Sequence, residues 1–138
     1  MKQGIIDIGS NSIRLTVYEV EGHAFRILFR EKVMAGLASY VENGALSAEG
    51  IESACSGLLE FRATLETLEI ENVAVFATAS LRNISNTEQA LAIIHAETGF
   101  SVDVISGEEE ALLGYTGVMV MLMLVCNLRW GQAAGAVS

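Results

Sequence analysis

Asp7 is the first residue of this sequence whose surroundings suggest chemistry. It interrupts an apolar run, Ile5-Ile6-Asp7-Ile8, and is followed by Gly9-Ser10-Asn11-Ser12 and a second apolar run from Ile13 to Val20. The pattern reads as a strand, a tight turn and an antiparallel strand, with an acid at the entrance to the turn. Gly9 lets the backbone take a positive φ or come close to a ligand. The N–H groups and hydroxyls of Gly9, Ser10, Asn11 and Ser12 can form a concave donor cluster suited to phosphate. Asp7 would hold a metal ion or a water beside it. The same residues also fit an ordinary hairpin with polar turn residues, because short glycine motifs are not specific by themselves.

Two later stretches add chemistry of a compatible kind. Thr78-Ala79-Ser80-Leu81-Arg82-Asn83-Ile84-Ser85-Asn86 follows the apolar run Val73–Ala77, which reads as a buried strand. Arg82 therefore falls in a strand-end loop, where its planar fork could grip two phosphate oxygens at once. A solvated loop arginine is the plainer account. Further on stands Val104-Ile105-Ser106-Gly107-Glu108-Glu109-Glu110-Ala111. Glutamates in the first turn of a helix complement the positive end of its dipole, which accounts for Glu108 and Glu109.

The stretch Asp7-Ile8-Gly9-Ser10-Asn11-Ser12-Ile13-Arg14-Leu15 resembles the first phosphate loop of the exopolyphosphatase/guanosine pentaphosphate phosphohydrolase (Ppx/GppA phosphatase) family. That family belongs to the superfamily of sugar kinases, Hsp70 and actin. The two later stretches match it in the same order, so the resemblance covers roughly residues 3 to 118. It implies removal of terminal phosphate from polyphosphate or guanosine pentaphosphate, with Mg²⁺. By the same resemblance Asp7 and Gly9, Ser10, Asn11 and Ser12 form the first phosphate loop, with Asp7 as the candidate metal ligand of this lobe. Arg82 contacts phosphate, and Glu110 is the general base that orients a water for in-line attack.

Two departures from the family pattern stand out. Leu112 occupies a position where the family usually has arginine, and the second glycine-rich loop, Asp-x-Gly-Gly-Gly-Ser, has no counterpart in the apolar stretch from Met119 to Ser138. The expected organisation is a phosphate-binding lobe over 1–118 and an atypical, truncated-looking tail over 119–138. Such a chain supplies one wall of a two-lobed site. A non-catalytic module that binds a phosphate ligand or a partner is the first alternative. A sugar-kinase-like lobe is another, although the Ser-Asn-Ser turn and the Ser-Gly-Glu-Glu-Glu-Ala stretch count against it.

The elements that must position these residues follow from periodicity. Residues 3–8, 12–20 and 24–32 read as strands, and 35–44 as a loop. Ser47 caps a helix whose Ala54, Leu58, Phe61, Leu65 and Leu68 form a core-facing stripe. Residues 73–77 form a strand. Ser85 or Asn86 caps a helix from Thr87 to Thr98 with capping-box spacing to Glu88 or Gln89, and Gly99 stops it. Residues 102–105 form a last strand, and Ser106 caps a last helix. The order βββαβαβα implies, by the resemblance, an α/β ribonuclease H-like single lobe, a mixed sheet flanked by helices on both faces.

Composition sets the outer limits. A chain of 138 residues, 51% apolar, builds one domain with a real core. A net charge of −9 argues against a surface for nucleic-acid polymers. A phosphate ligand must then be caught locally, by backbone amides, a few arginines and a divalent cation. Cys55 and Cys126 lack metal-ligand spacing and fit a reduced cytoplasmic protein. Met1-Lys2-Gln3-Gly4 runs straight into a strand, so no signal peptide is expected. His23 is expected at an exposed turn. The uncharged segment Ala111–Leu128 only reaches the lower limit of about 18 residues for a membrane helix. Gly114, Tyr115, Thr116, Gly117 and Asn127 weaken that reading further. A capped helix that packs on the sheet and continues into an apolar tail is the better expectation, with homo-oligomer formation through the exposed apolar patch as its consequence.

Overall fold

The computed structural model describes residues 1–21 and 24–105. Three strands open the chain: β1 (Lys2–Ile8), β2 (Ile13–Glu21) and β3 (Ala24–Val33). β1 pairs antiparallel with β2, and β2 with β3, across a bulge where Val17 lies opposite Phe29 and Tyr18 opposite Ile27. Leu28 is the extra residue of that bulge. A 3₁₀ turn at Leu37–Tyr40 and a short hairpin, β4 (Val41–Glu42) with β5 (Ala45–Leu46), occupy the segment expected to be plain loop.

The long helix α1 (Ala48–Thr67) begins as expected, with Ser47 Oγ accepting from the Gly50 N–H at 3.2 Å. Its Ala54, Leu58, Phe61 and Leu65 are buried, but Leu68 is 40% exposed. Leu68 is the C-cap residue, beyond the last regular turn, so it leaves the helical stripe. β6 (Val73–Ala77) then runs parallel to β1. A four-residue helix, α2 (Ala79–Arg82), and α3 (Thr87–Thr98) lead to β7 (Val102–Val104), parallel to β6. α3 stops at Gly99, which sits in the left-handed region as expected.

The sheet order is β3-β2-β1-β6-β7. Side chains alternate along a strand, so neighbours in the sequence face opposite ways. Ile6, Ile8, Ile13, Leu15 and Val17 all point to one face and are fully buried there with Phe61, Leu58 and Ile94 from the helices. Burying a side chain of this size contributes about 1.5–3 kcal/mol, which makes this layer the main source of stability. Asp7 lies between Ile6 and Ile8 and therefore belongs to the other face.

The mixed sheet and the order of elements agree with the expected single-lobe α/β fold. The last helix, the boundary at 118, the tail over 119–138, Cys126 and His23 all lie outside the described residues. No helix among the described residues is long and apolar enough to cross a membrane.

Candidate phosphate-binding site

Three parallel strands end side by side. Ile8 of β1 is paired with Ala77 of β6, and Ala77 with Val104 of β7. Neighbouring strands are about 4.8 Å apart, so three segments leave the sheet within about 10 Å of one another. These are Gly9–Ser12, Thr78–Arg82 and Ile105. Ligands of such sheets sit at the carboxyl ends of parallel strands. The first two stretches singled out by residue type are thus brought to one edge by topology, beside Ile105 at the start of the third.

The Gly9–Ser12 turn is closed by its own backbone, with the Gly9 N–H donating to the Ser12 carbonyl at 2.9 Å. A Cβ at Gly9 would stand 2.9 Å from that same oxygen, so only glycine fits here. A second segment braces the turn from outside. The N–H of Ala38 donates to the Ser10 carbonyl at 2.8 Å, and that of Gly36 to the Asn11 carbonyl at 2.9 Å. Among the described residues, the N–H groups of Ser10, Asn11 and Ser12 donate to no backbone carbonyl. Asn11 is exposed, and Ser10 and Ser12 are half-buried. Backbone donors held in a turn with their carbonyls turned away make an anion-binding concavity.

Asp7 stands one residue before the end of β1, and its Oδ1 is shielded from solvent. Its cross-strand neighbours are Arg14 on β2 and Phe76 on β6. Arg14 is exposed and carries a cation beside the turn, a role that residue type alone had not assigned. The signal that could have found it was the hairpin register, since residues flanking a tight turn face each other across it.

Arg82 is not in a loop but at the end of α2. Its Nη1 donates to the Ile105 carbonyl at 3.1 Å, which ties the α2 end to the segment leaving β7. α2 itself is anchored at the carboxyl end of β1, because buried Ser80 donates from Oγ to the Ile8 carbonyl at 2.7 Å. Thr87 Oγ1 accepts no part in the site but fixes the end of α2 by donating to the Leu81 carbonyl at 2.6 Å. The structure therefore brings Asp7, Gly9, Ser10, Asn11, Ser12 and Arg82 to one edge. Glu110 lies outside the described residues.

Among the described residues no group of three metal-ligating side chains converges. Asp7 can still serve a hard divalent cation, because Mg²⁺ commonly takes one or two carboxylates and completes its shell with water and substrate phosphate oxygens. Two clefts lie away from this edge. One, of about 310 Å³, is at the opposite end of the sheet and is lined by Leu65, Ile70, Val73 and Phe100. The other, of about 460 Å³, lies between α1 and α3, beside Ile51, Glu52, Ile93 and Glu97. The donors and charges singled out above converge instead at the strand-end edge.

Comparison with known proteins agrees with this geometry. The Ppx/GppA phosphatase family matches residues 16–125. The guanosine-5'-triphosphate,3'-diphosphate pyrophosphatase of Vibrio cholerae is 33% identical over 114 residues, 82% of this chain and 23% of that protein. The bifunctional 3-dehydroquinate synthase/phosphatase of Fusobacterium nucleatum is 31% identical over 122 residues, 83% of this chain and 18% of that protein. Among solved structures, an exopolyphosphatase from Cytophaga hutchinsonii superposes with a TM-score of 0.76 at 28% identity, over 82% of this chain and 36% of that one. The Aquifex aeolicus Ppx/GppA family member gives a TM-score of 0.74 at 32% identity, over 80% and 36%. The chain thus spans about a third or less of the length of these relatives. Its sheet order, its strand-end turn and this match over most of its length place it in the Ppx/GppA phosphatase family.

Proposed function

We propose that this chain is the N-terminal lobe of an exopolyphosphatase-like phosphohydrolase, which removes terminal phosphate from polyphosphate or guanosine pentaphosphate. The observation that carries this reading is the alignment of Ile8, Ala77 and Val104, which sets the Gly9–Ser12 turn and Arg82 at one edge. Phosphoryl transfer asks little covalent chemistry of a protein; it asks for positioning and for neutralisation of charge on the phosphoryl oxygens.

In this reading the N–H groups of Ser10, Asn11 and Ser12 receive the terminal phosphoryl oxygens. Arg82 supplies a directional positive charge from the neighbouring strand end. Asp7 would hold a divalent cation, Mg²⁺ in our proposal, which supplies further charge neutralisation when bound. Glu110 accepts a proton from the attacking water and so orients it in line with the scissile bond. We place the protein in the cytoplasm, in line with its unpaired buried Cys55.

The test is phosphate release from polyphosphate by the purified chain with Mg²⁺, beside Glu110→Gln. Release that vanishes in the variant supports the hydrolase reading, with the site completed by a second chain. Release that persists in the variant removes Glu110 from the mechanism. Absence of release from both, with polyphosphate still bound, favours a phosphate-binding module instead.

A further inference from the structure

The Gly9–Ser12 turn is closed by its own backbone bond, and a second segment, far from it in sequence, sets the direction of its donors. We infer that Ala35–Ser39 is a positioning strut for the phosphate-binding turn, and that Ser53 on α1 fixes this strut and thereby tunes affinity for a terminal phosphoryl group. The inference rests on the phosphate-binding reading given above and deepens it.

The peptide planes decide the matter. In a trans peptide the C=O and the following N–H point in opposite directions, and no cis bond occurs among the described residues. The Ser10 carbonyl is held by the Ala38 N–H, so the Asn11 N–H points away from the strut. The Asn11 carbonyl is held by the Gly36 N–H, so the Ser12 N–H points away as well. The strut itself lies on the side of the sheet that α1 covers, where Ala35 and Leu37 are buried in the core with α1. Both donors are thus aimed at the opposite side, which is also the side of Asp7. An anion seated on these N–H groups would lie next to the carboxylate proposed to hold the cation.

The strut is built to be stiff. Gly36 has φ 62 and ψ 38, the left-handed region that glycine adopts without strain. The Gly36 carbonyl accepts from both Ser39 Oγ at 2.7 Å and the Ser39 N–H at 3.0 Å. On the far side, Ser53 Oγ donates to the Ala35 carbonyl at 2.8 Å. An unbroken path therefore runs from α1 through Ala35, Gly36 and Ala38 to the two carbonyls of the turn. Ser53 is on α1, is not part of the turn, and touches no group placed in the chemistry. It is a positioning residue.

The experiment is a titration of the ¹⁵N-labelled chain with tripolyphosphate and Mg²⁺, followed at the amides of Asn11 and Ser12. The parent chain, Ser53→Ala, Ser53→Thr and Gly36→Ala are compared, with thermal unfolding of each. We expect saturable shifts of both amides in the parent chain. The apparent Kd should rise about three- to tenfold in Ser53→Ala, the effect of one hydrogen bond. Ser53→Thr, which keeps the hydroxyl, should restore it. Gly36→Ala should weaken binding at least as much as Ser53→Ala. Shifts in the parent chain with the same Kd in Ser53→Ala and Gly36→Ala would overturn the strut and leave the phosphate site standing. A Kd that changes only in proportion to lost thermal stability, with no rescue by threonine, would reduce Ser53 to a structural role. No shift of either amide in the parent chain would overturn the phosphate-binding reading and the strut with it.

Discussion

The Ser80 hydroxyl donates to the carbonyl of Ile8 across 2.7 Å in space and 72 positions in sequence. It joins the last residue of β1 to the first turn of α2, and so sets the Gly9–Ser12 turn and the Arg82 helix in one frame. Ser80 is 7% exposed, so water does not readily replace the lost donor when the hydroxyl is removed. Ser80→Ala should cost about 1–2 kcal/mol of stability, read by chemical denaturation. It should also weaken polyphosphate binding, because both anchors of the edge move apart. Binding unchanged at full occupancy of the folded state would mean that the two anchors are positioned independently.

Gly9→Ala tests the turn itself. The new Cβ would meet the Ser12 carbonyl oxygen at 2.9 Å, and that atom is backbone, with no flexible end to swing aside. The turn must open, which breaks the Gly9 N–H bond to the same oxygen. We expect loss of stability of about 1–3 kcal/mol and a loss of phosphate binding that exceeds it. A variant that binds tripolyphosphate like the parent chain would contradict the closed turn.

Cys55 gives a pH signature of the core. Burial raises its thiol from 9.0 to about 12, with the hydrogen bond to Glu97 and the charges of Glu97 and Glu52 adding in the same direction. The folded state therefore prefers the neutral thiol. Its contribution to stability is complete below pH 9 and fades as the pH rises from 9.0 toward about 12. Unfolding free energy measured over that range should fall more steeply for the parent chain than for Cys55→Ala. Equal slopes would show that the thiol ionises alike in both states.

Of the two expected N-caps of α3, Ser85 and Asn86, it is Asn86 that occupies the position, but its side chain makes no capping bond. Its Oδ1 instead accepts from the Leu46 N–H and its Nδ2 donates to the Leu46 carbonyl, each at 2.9 Å. A paired, half-buried clamp between β5 and the start of α3 is stronger than a cap, because both groups would otherwise be left unsatisfied. Asn86→Ala should cost about 2–3 kcal/mol, whereas Asn86→Asp, which keeps only the acceptor, should lose roughly half of that. Thermal unfolding of the two variants decides between clamp and cap.

These cases show what the chain reveals without coordinates. Strand and helix positions were legible because apolar spacing is a local signal: β6 and α3 have the bounds expected for them, and Ser47 caps α1 as its residue type implies. The Gly9–Ser12 turn was legible because Gly9 and the polar residues after it are contiguous. Bonds between distant segments left no such trace. Neither the Asn86 clamp, the Ser80 tie nor the Gly36–Ala38 brace has a sequence spacing, since each depends on which strand lies beside which. The short helix α2 was missed for a different reason: at four residues it has no periodicity to detect. Arg14 was visible as a residue, but its position opposite Asp7 appears only with the hairpin register.

Arg82 offers the sharpest test of the edge as a whole. At the end of α2 it donates from Nη1 to the Ile105 carbonyl at 3.1 Å, so one nitrogen of its fork positions the segment after β7. A guanidinium can do this and still present other N–H groups to phosphate, because its donors lie in one rigid plane. Lysine keeps the charge but offers a single ammonium. Arg82→Lys should therefore weaken tripolyphosphate binding by about tenfold, or roughly 1.4 kcal/mol, with Mg²⁺ present. Arg82→Ala should weaken it further, and its remaining affinity should depend less on salt, since one cation is gone. Titrations of both variants at low and high salt separate the two contributions. If Arg82→Lys binds like the parent chain, the site uses only the charge of this residue, and the planar fork serves contacts within the protein, that to Ile105 among them.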